Sequence, residues 1–332
     1  MVRSITARIG ATAVCLLAQF SAAAQTATVG NDYPTRPIRM IVPFAPGGAS
    51  DFVARILQQR LGEALSQQIV VDNRSGAAGN VGVEAAARAN PDGYTLLFGN
   101  VGTMAINPSL IPQFAIRPLR DLAGITLVSD TPGALALHPS IPATTVKEFV
   151  AYAKARPSQL NYGSASVGSA QRLAFEYFMS KTGIKLVHVA YKAGAGGVTA
   201  GVLAGEVSAT MTTVTAVLPH IKAGKLRALA VVAPQRISQL PETPTMIEIG
   251  FPELTLGSWA GLFAPAATPR AIVRKLHAAT TRALSDTDAR NRLSSGGVEL
   301  VTSKSPEDFT AFMTVQTEFW ARIVKETGAT PD

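Results

Sequence analysis

Two stretches hold the residues whose types and spacing could do chemistry. The first is "PFAPGGASDF" (43–52), in which Ala45, Pro46, Gly47, Gly48, Ala49, Ser50 and Asp51 offer backbone and almost no side chain. The second is "YGSASVGSAQR" (162–172), containing Ser164, Ala165, Ser166, Val167, Gly168 and Ser169. In each, an apolar run enters and a helical pattern leaves. A helix start has unpaired N–H groups and a partial positive charge. Glycine lets an anion approach those groups without meeting a Cβ. The chemistry on offer is a cradle for a carboxylate or phosphate. A plain strand-to-helix turn would use the same residues, with Ser50 or Asp51 as its N-cap.

Other chemistries fit less well. No G-x-x-x-x-G-K-[ST] is present and no lysine follows Gly48, so the first loop is not a P-loop. A nucleophile elbow around Ser166 needs glycine at position 164, where serine stands. His138, His188, His220 and His277 share no metal-ligand spacing and sit in no recognisable triad. A third loop, "HVAYKAGAGGV" (188–198), places Tyr191 where it could donate to a ligand or pack. "ATMTTVTAV" (209–217) ends a strand in hydroxyls, and Thr213 is the candidate to face a cleft.

These loops need strands and helices to hold them, and the hydrophobic pattern supplies both. Strands are expected at 38–44, 68–72 and 95–99, with helices at 51–64 and 81–89 between them. A second series follows 122–128. Its strands fall at 134–137, 160–163, 187–189, 208–213 and 227–232, and its helices at 146–155, 169–182, 196–204 and 218–223. Residues 233–253 are proline-rich and read as an irregular connection. A strand at 258–264 and helices at 270–285 and 305–327 close the chain. Such alternation predicts an α/β protein with parallel sheets covered on both faces, in two lobes with chain crossings near 122–130 and 233–258. The expected division is 25–125 with 248–332 for lobe 1, and 126–247 for lobe 2.

Of 332 residues, 47% are hydrophobic and 16% charged, which excludes a disordered chain. Arg3 and Arg8, an apolar run from Ile9 to Phe20, and Ala22-Ala23-Ala24 read as a secretory signal cut before Gln25. Such a cut removes Cys15, the one cysteine, and lowers the net charge from +8 to +6. The remaining Lys and Arg are scattered and aromatics are few, which argues against a nucleic-acid groove. No metal or cofactor is implied.

The order of several motifs is specific. "YPTRPIRMIVPFAPGGASDFVAR", "VVDNRSGAAGNVG", "NPDGYTLL", "YGSASVGS", "HVAYKAG", "LPHIKAGKLRALAV", "PTMIEIG", "SWAGLFAPAATP" and "SPEDFTAF" span the chain after the leader. They resemble the solute-binding receptors of tripartite tricarboxylate transporters, the TctC or Bug family. The resemblance implies an α/β, two-lobed periplasmic-binding-protein fold (type II-like) with a ligand cleft between lobes. It implies an exported periplasmic monomer, not an enzyme, that takes a small carboxylate and passes it to membrane permease subunits, with no cofactor. Carried onto this chain, the ligand meets the loops 45–51 and 164–169, with Tyr191 nearby. Two positions depart from the family pattern. Ala190 and Ala193 stand where Pro and Gly are usual, and "TTVTA" stands where an acidic or amide residue is common. The alternatives are a secreted serine hydrolase using Ser166 and a ligand-binding input to a sensor kinase.

Overall fold

The computed structural model describes residues 32–47, 49–164, 168–191, 194–254, 257–295 and 297–331. Eleven strands and eleven α-helices are formed by them. In the first half β1 (Ile38–Val42), α1 (Ala49–Leu65), β2 (Ile69–Asn73), α2 (Asn80–Ala87), β3 (Thr95–Asn100), α3 (Asn107–Leu110), α4 (Pro118–Asp121) and β4 (Leu122–Asp130) follow in order. A π turn at Gly102–Ile106 joins β3 to α3. Next come β5 (Gly133–Leu137), α5 (Val146–Lys154), β6 (Asn161–Ser164), α6 (Ala170–Thr182), β7 (Val187–Ala190), α7 (Gly194–Leu203), β8 (Ala209–Thr213), α8 (Val214–Lys222) and β9 (Arg227–Val232). The chain ends with β10 (Ala260–Pro265), α9 (Arg270–Leu284), α10 (Thr287–Ser295), β11 (Glu299–Leu300) and α11 (Pro306–Thr327).

The strands form two sheets, ordered β11-β4-β10-β3-β1-β2 and β7-β6-β8-β5-β9. The expectation of purely parallel sheets is corrected. β1 runs parallel to β2 and β3, and β6 to β7 and β8. However, β10 is antiparallel to both β3 and β4, and β5 to both β8 and β9. The reason lies in the path. β4 leads the chain out of the first lobe, and β10 brings it back from the second in the opposite direction, slotting between β3 and β4. β1 and β3 are buried on both faces, so they read as continuous apolar runs rather than alternating ones.

The boundary expected at 125/126 falls inside β4, all nine residues of which belong to the first sheet. The outward crossing is instead at 131–132, and the return crossing lies beside it. Thr131 N–H donates to Ser258 O and Ser258 N–H to Thr131 O, at 3.2 and 2.8 Å. The two crossings are therefore laced together. Helix α11 does not belong to one lobe either. Its Phe309 packs beneath β10, where Gly261 and Gly124 leave room for the ring. Its far end meets the second lobe: Lys181 pairs with Glu326, and Arg172 Nη1 donates to Thr330 O.

Local chemistry explains where helices start. Thr145 and Glu148 form a capping box on α5. Ser169 and Ser305 cap α6 and α11, each accepting from the N–H three residues on.

Candidate functional site

The loop after β1 is shaped by Asp51, in the first turn of α1 and 3% exposed. Its Oδ2 accepts from Gly47 N–H at 2.9 Å and from Arg55 Nε at 2.8 Å. Its Oδ1 accepts from Asn73 Nδ2 at 3.0 Å, and Asn73 also donates to Phe44 O. Burial works against this charge, but the bonds from Arg55, Gly47 and Asn73, with the Arg55 charge, hold the carboxyl below its usual range. The helix begins at Ala49, one residue before the expected cap, and Asp51 acts as an interior clamp rather than an N-cap.

That clamp takes up one expected donor, the Gly47 N–H. Others stay open: among the described residues, neither the N–H of Ala49 nor that of Ser50 has a protein acceptor. Ala45, Pro46 and Gly47 are exposed, and a Cβ built on Gly47 would meet nothing within 4 Å. Gly47 has φ +82°, a left-handed conformation that glycine takes without strain. Gly48 lies outside the described residues.

In the second loop Ala165, Ser166 and Val167, with the serine of the elbow-like pattern, lie outside the described residues. Ser164 is buried, and its Oγ shares a hydrogen bond of 2.8 Å with His188 Nε2 on the neighbouring strand. Ser169 accepts from Arg172 N–H at 3.2 Å. Hydroxyls that the sequence offered to a ligand thus also serve lobe 2 itself.

Tyr191 also serves lobe 2. Its hydroxyl donates to Glu206 Oε2 at 3.0 Å, and its ring lies over Gly201, where a Cβ would fall 2.0 Å from the hydroxyl oxygen. Burial, then the Glu206 bond and charge, push its pKa up. The packing alternative is the one this geometry favours. Thr213 ends β8 and its Oγ1 accepts from Thr215 Oγ1 at 2.9 Å.

A chain of close contacts brings the two loops to one junction. Pro43 and Phe44, at the base of the first loop, flank Gly79; a Cβ there would lie 3.3 Å from Pro43 O and 2.6 Å from Thr103 Cγ2. Thr103 belongs to the π turn, pinned by Asn100, whose Oδ1 accepts from Thr103 N–H at 3.1 Å. The same turn meets the second loop: a Cβ on Gly102 would lie 3.0 Å from Gly168 O. A second contact between lobes sets Gly297 against the start of α8, where its Cβ would be 3.6 Å from Thr215 N. Asn73, Gly102, Thr103 and Asn107 were missed in the sequence. Asn73 stands in "VVDNRSGAAGNVG", but nothing local shows that its amide reaches across to Asp51.

Among the described residues, no group of three or more His, Cys, Asp or Glu could hold a metal, and no helix is long and apolar enough to cross a membrane. The arrangement leaves the N–H groups of Ala49 and Ser50 without a protein acceptor among the described residues, at the start of α1.

Known proteins share this architecture. BugT of Bordetella pertussis is 36% identical over 298 residues, covering 90% of this chain and 91% of BugT. The R. palustris protein Rpa4515, solved with adipate, is 32% identical with a TM-score of 0.83, covering 91% of this chain and 100% of that one. MatC of Rhodopseudomonas palustris, solved with bound malate, is 30% identical with a TM-score of 0.79, covering 88% and 100%. The family model of the tripartite tricarboxylate transporter family receptor, TctC, matches residues 53–329. The chain belongs to the TctC family of solute-binding receptors.

Proposed function

We propose that this receptor captures a small dicarboxylate between its lobes and presents it to the permease subunits of a tripartite transporter. The observation that carries this reading is the pair of open N–H groups on Ala49 and Ser50, at the helix start that follows the exposed loop 45–47. A micromolar site needs roughly 8 kcal/mol. Hydrogen bonds to a charged group contribute about 1.5–3 kcal/mol each, so three or four, with burial of the ligand body, suffice. The ligands solved with Rpa4515 and MatC, adipate and malate, are both dicarboxylates, which supports the class.

The protein acts as a monomer in the periplasm, released from its leader before Gln25. Solved relatives include a periplasmic binding protein. Nothing in the comparisons supports catalysis by Ser166 or a sensor-kinase role. A thermal-shift panel of dicarboxylates with their methyl esters is the test. A ligand at 100 times its Kd adds about 2.7 kcal/mol of stability, so an acid that raises the Tm while its diester does not supports the proposal. Equal shifts for acid and diester, or none for any acid, would overturn it.

A further inference from the structure

We propose that Gly102, Asn107 and Gly168 are positioning residues: they form a seam of bare backbone through which the lobes meet when ligand binds. The inference rests on the receptor reading above. It begins from two glycines whose own backbones do not require glycine. Neither Gly102 nor Gly168 has a positive φ. What excludes a side chain is the opposite lobe. All three heavy atoms nearest to a Cβ on Gly168 belong to lobe 1: Asn107 Oδ1 at 2.5 Å, Asn107 Cγ at 3.7 Å and Leu110 Cδ2 at 3.9 Å. Around a Cβ on Gly102, two of three belong to lobe 2, Gly168 O at 3.0 Å and Gly168 C at 4.0 Å. Among the described residues, an alanine at 168 therefore meets lobe 1 first.

Asn107 makes that obstruction firm and gives the contact a direction. It is 1% exposed, and its Nδ2 donates to Ala78 O at 3.1 Å and to Asn80 Oδ1 at 2.7 Å. The amide is therefore held and cannot swing aside. Its Oδ1 is buried against Gly168 with no hydrogen-bond partner. When the lobes part, water reaches this acceptor; when they meet, it loses that water and gains nothing in return. The seam thus opposes closure by the empty protein, and ligand contacts in both lobes must outweigh it. Closure thereby becomes conditional on ligand.

Spin labels at Gln59 on α1 and Lys222 on α8, both exposed, report the separation of the lobes by pulsed electron resonance. The chain produced from Gln25 carries no native thiol, so the labels attach only at the two introduced cysteines. Malate and adipate are the probes. The expected result is a short-distance population that grows with probe in the wild type and is depleted in Gly168→Ala, with affinity at least tenfold weaker. Gly102→Ala acts in the same direction and serves if Gly168→Ala does not fold. Asn107→Ser withdraws the opposing oxygen, so the Gly168→Ala/Asn107→Ser pair should recover most of the lost affinity, an outcome that general loosening would not give. Wild-type distances and affinity in both alanine variants, or strictly additive effects in the pair, would overturn the proposal. So would a wild type with no short-distance population under either probe. If neither probe binds but the alanine variants still deplete a short-distance population in the empty protein, the seam stands and the receptor reading falls.

Discussion

The loops 43–51 and 164–169 look alike as sequence and differ in why each needs glycine. In the first, Gly47 answers to its own backbone: φ is +82° and open space surrounds the absent Cβ. In the second, Gly168 has an ordinary φ, and a side chain there would collide with the other lobe. The first loop is held from within by a buried carboxylate; the second caps its helix with Ser169 and leans on lobe 1. One motif can therefore encode a local conformation or a long-range approach, and only the neighbours distinguish them.

Removing the clamp that sets the first loop apart should have the largest effect. Asp51→Ala removes the acceptor that Gly47, Arg55 and Asn73 share and is expected to cost about 2–4 kcal/mol, measured by urea unfolding. Because the folded carboxyl is held low, its contribution is present above the unfolded pKa of 3.8 and is lost as pH falls through the lower folded value. An unchanged midpoint would mean that the loop does not depend on its carboxylate.

Gly47→Val tests whether the first glycine answers only to backbone. The left-handed φ should cost about 1–3 kcal/mol with the circular dichroism spectrum intact. The new side chain would stand in the open space beside Ala49 and Ser50, so dicarboxylate binding by calorimetry should be lost. Unchanged affinity would make this loop a turn and nothing more.

Between the loops, Asp130 at the outward crossing sharpens the contrast between clamped and unclamped acids. Its Oδ1 is buried without a partner, and a Cβ on Gly257 of the return crossing would lie 2.5 Å from it. Burial and the Glu299 charge, opposed by a bond from Thr131 N–H, push its pKa up to about 6. Here the folded pKa lies above the unfolded 3.8, so stability is full below 3.8 and falls as pH rises through 6. Asp130→Asn should therefore stabilise the protein by about 1–3 kcal/mol at pH 7, with the gain vanishing near pH 4. A gain independent of pH would assign the effect to packing.

The smallest effect is expected from Tyr191→Phe, which deletes the bond to Glu206 and costs about 0.5–1.5 kcal/mol in thermal unfolding. Affinity for a dicarboxylate should not change. A tenfold loss would restore this tyrosine to the ligand site.

Much of this was legible in the chain itself. The strand and helix alternation and the irregular 233–253 follow from hydrophobic period and turn chemistry, which act within a few residues. Helix α10 was missed because "TDARNRLSS" carries little apolar period, and its burial rests on Ala289 and Leu293 alone. The roles of Asn73 and Asn107 were also hidden, since an amide gives no local sign of which distant carbonyl it will reach.

The sequence by itself determined most of the strands and the longer helices, and that bare loops would join them. Those outcomes rest on interactions between residues close along the chain. Tertiary structure decided the rest: the antiparallel entry of β10, the crossing at 131–132, the reach of α11 onto both lobes, and the reason for Gly168. Each depends on which surfaces come together from positions far apart. A glycine required by a neighbour more than sixty residues away, as Gly168 is by Asn107, carries no mark of that neighbour in its own surroundings.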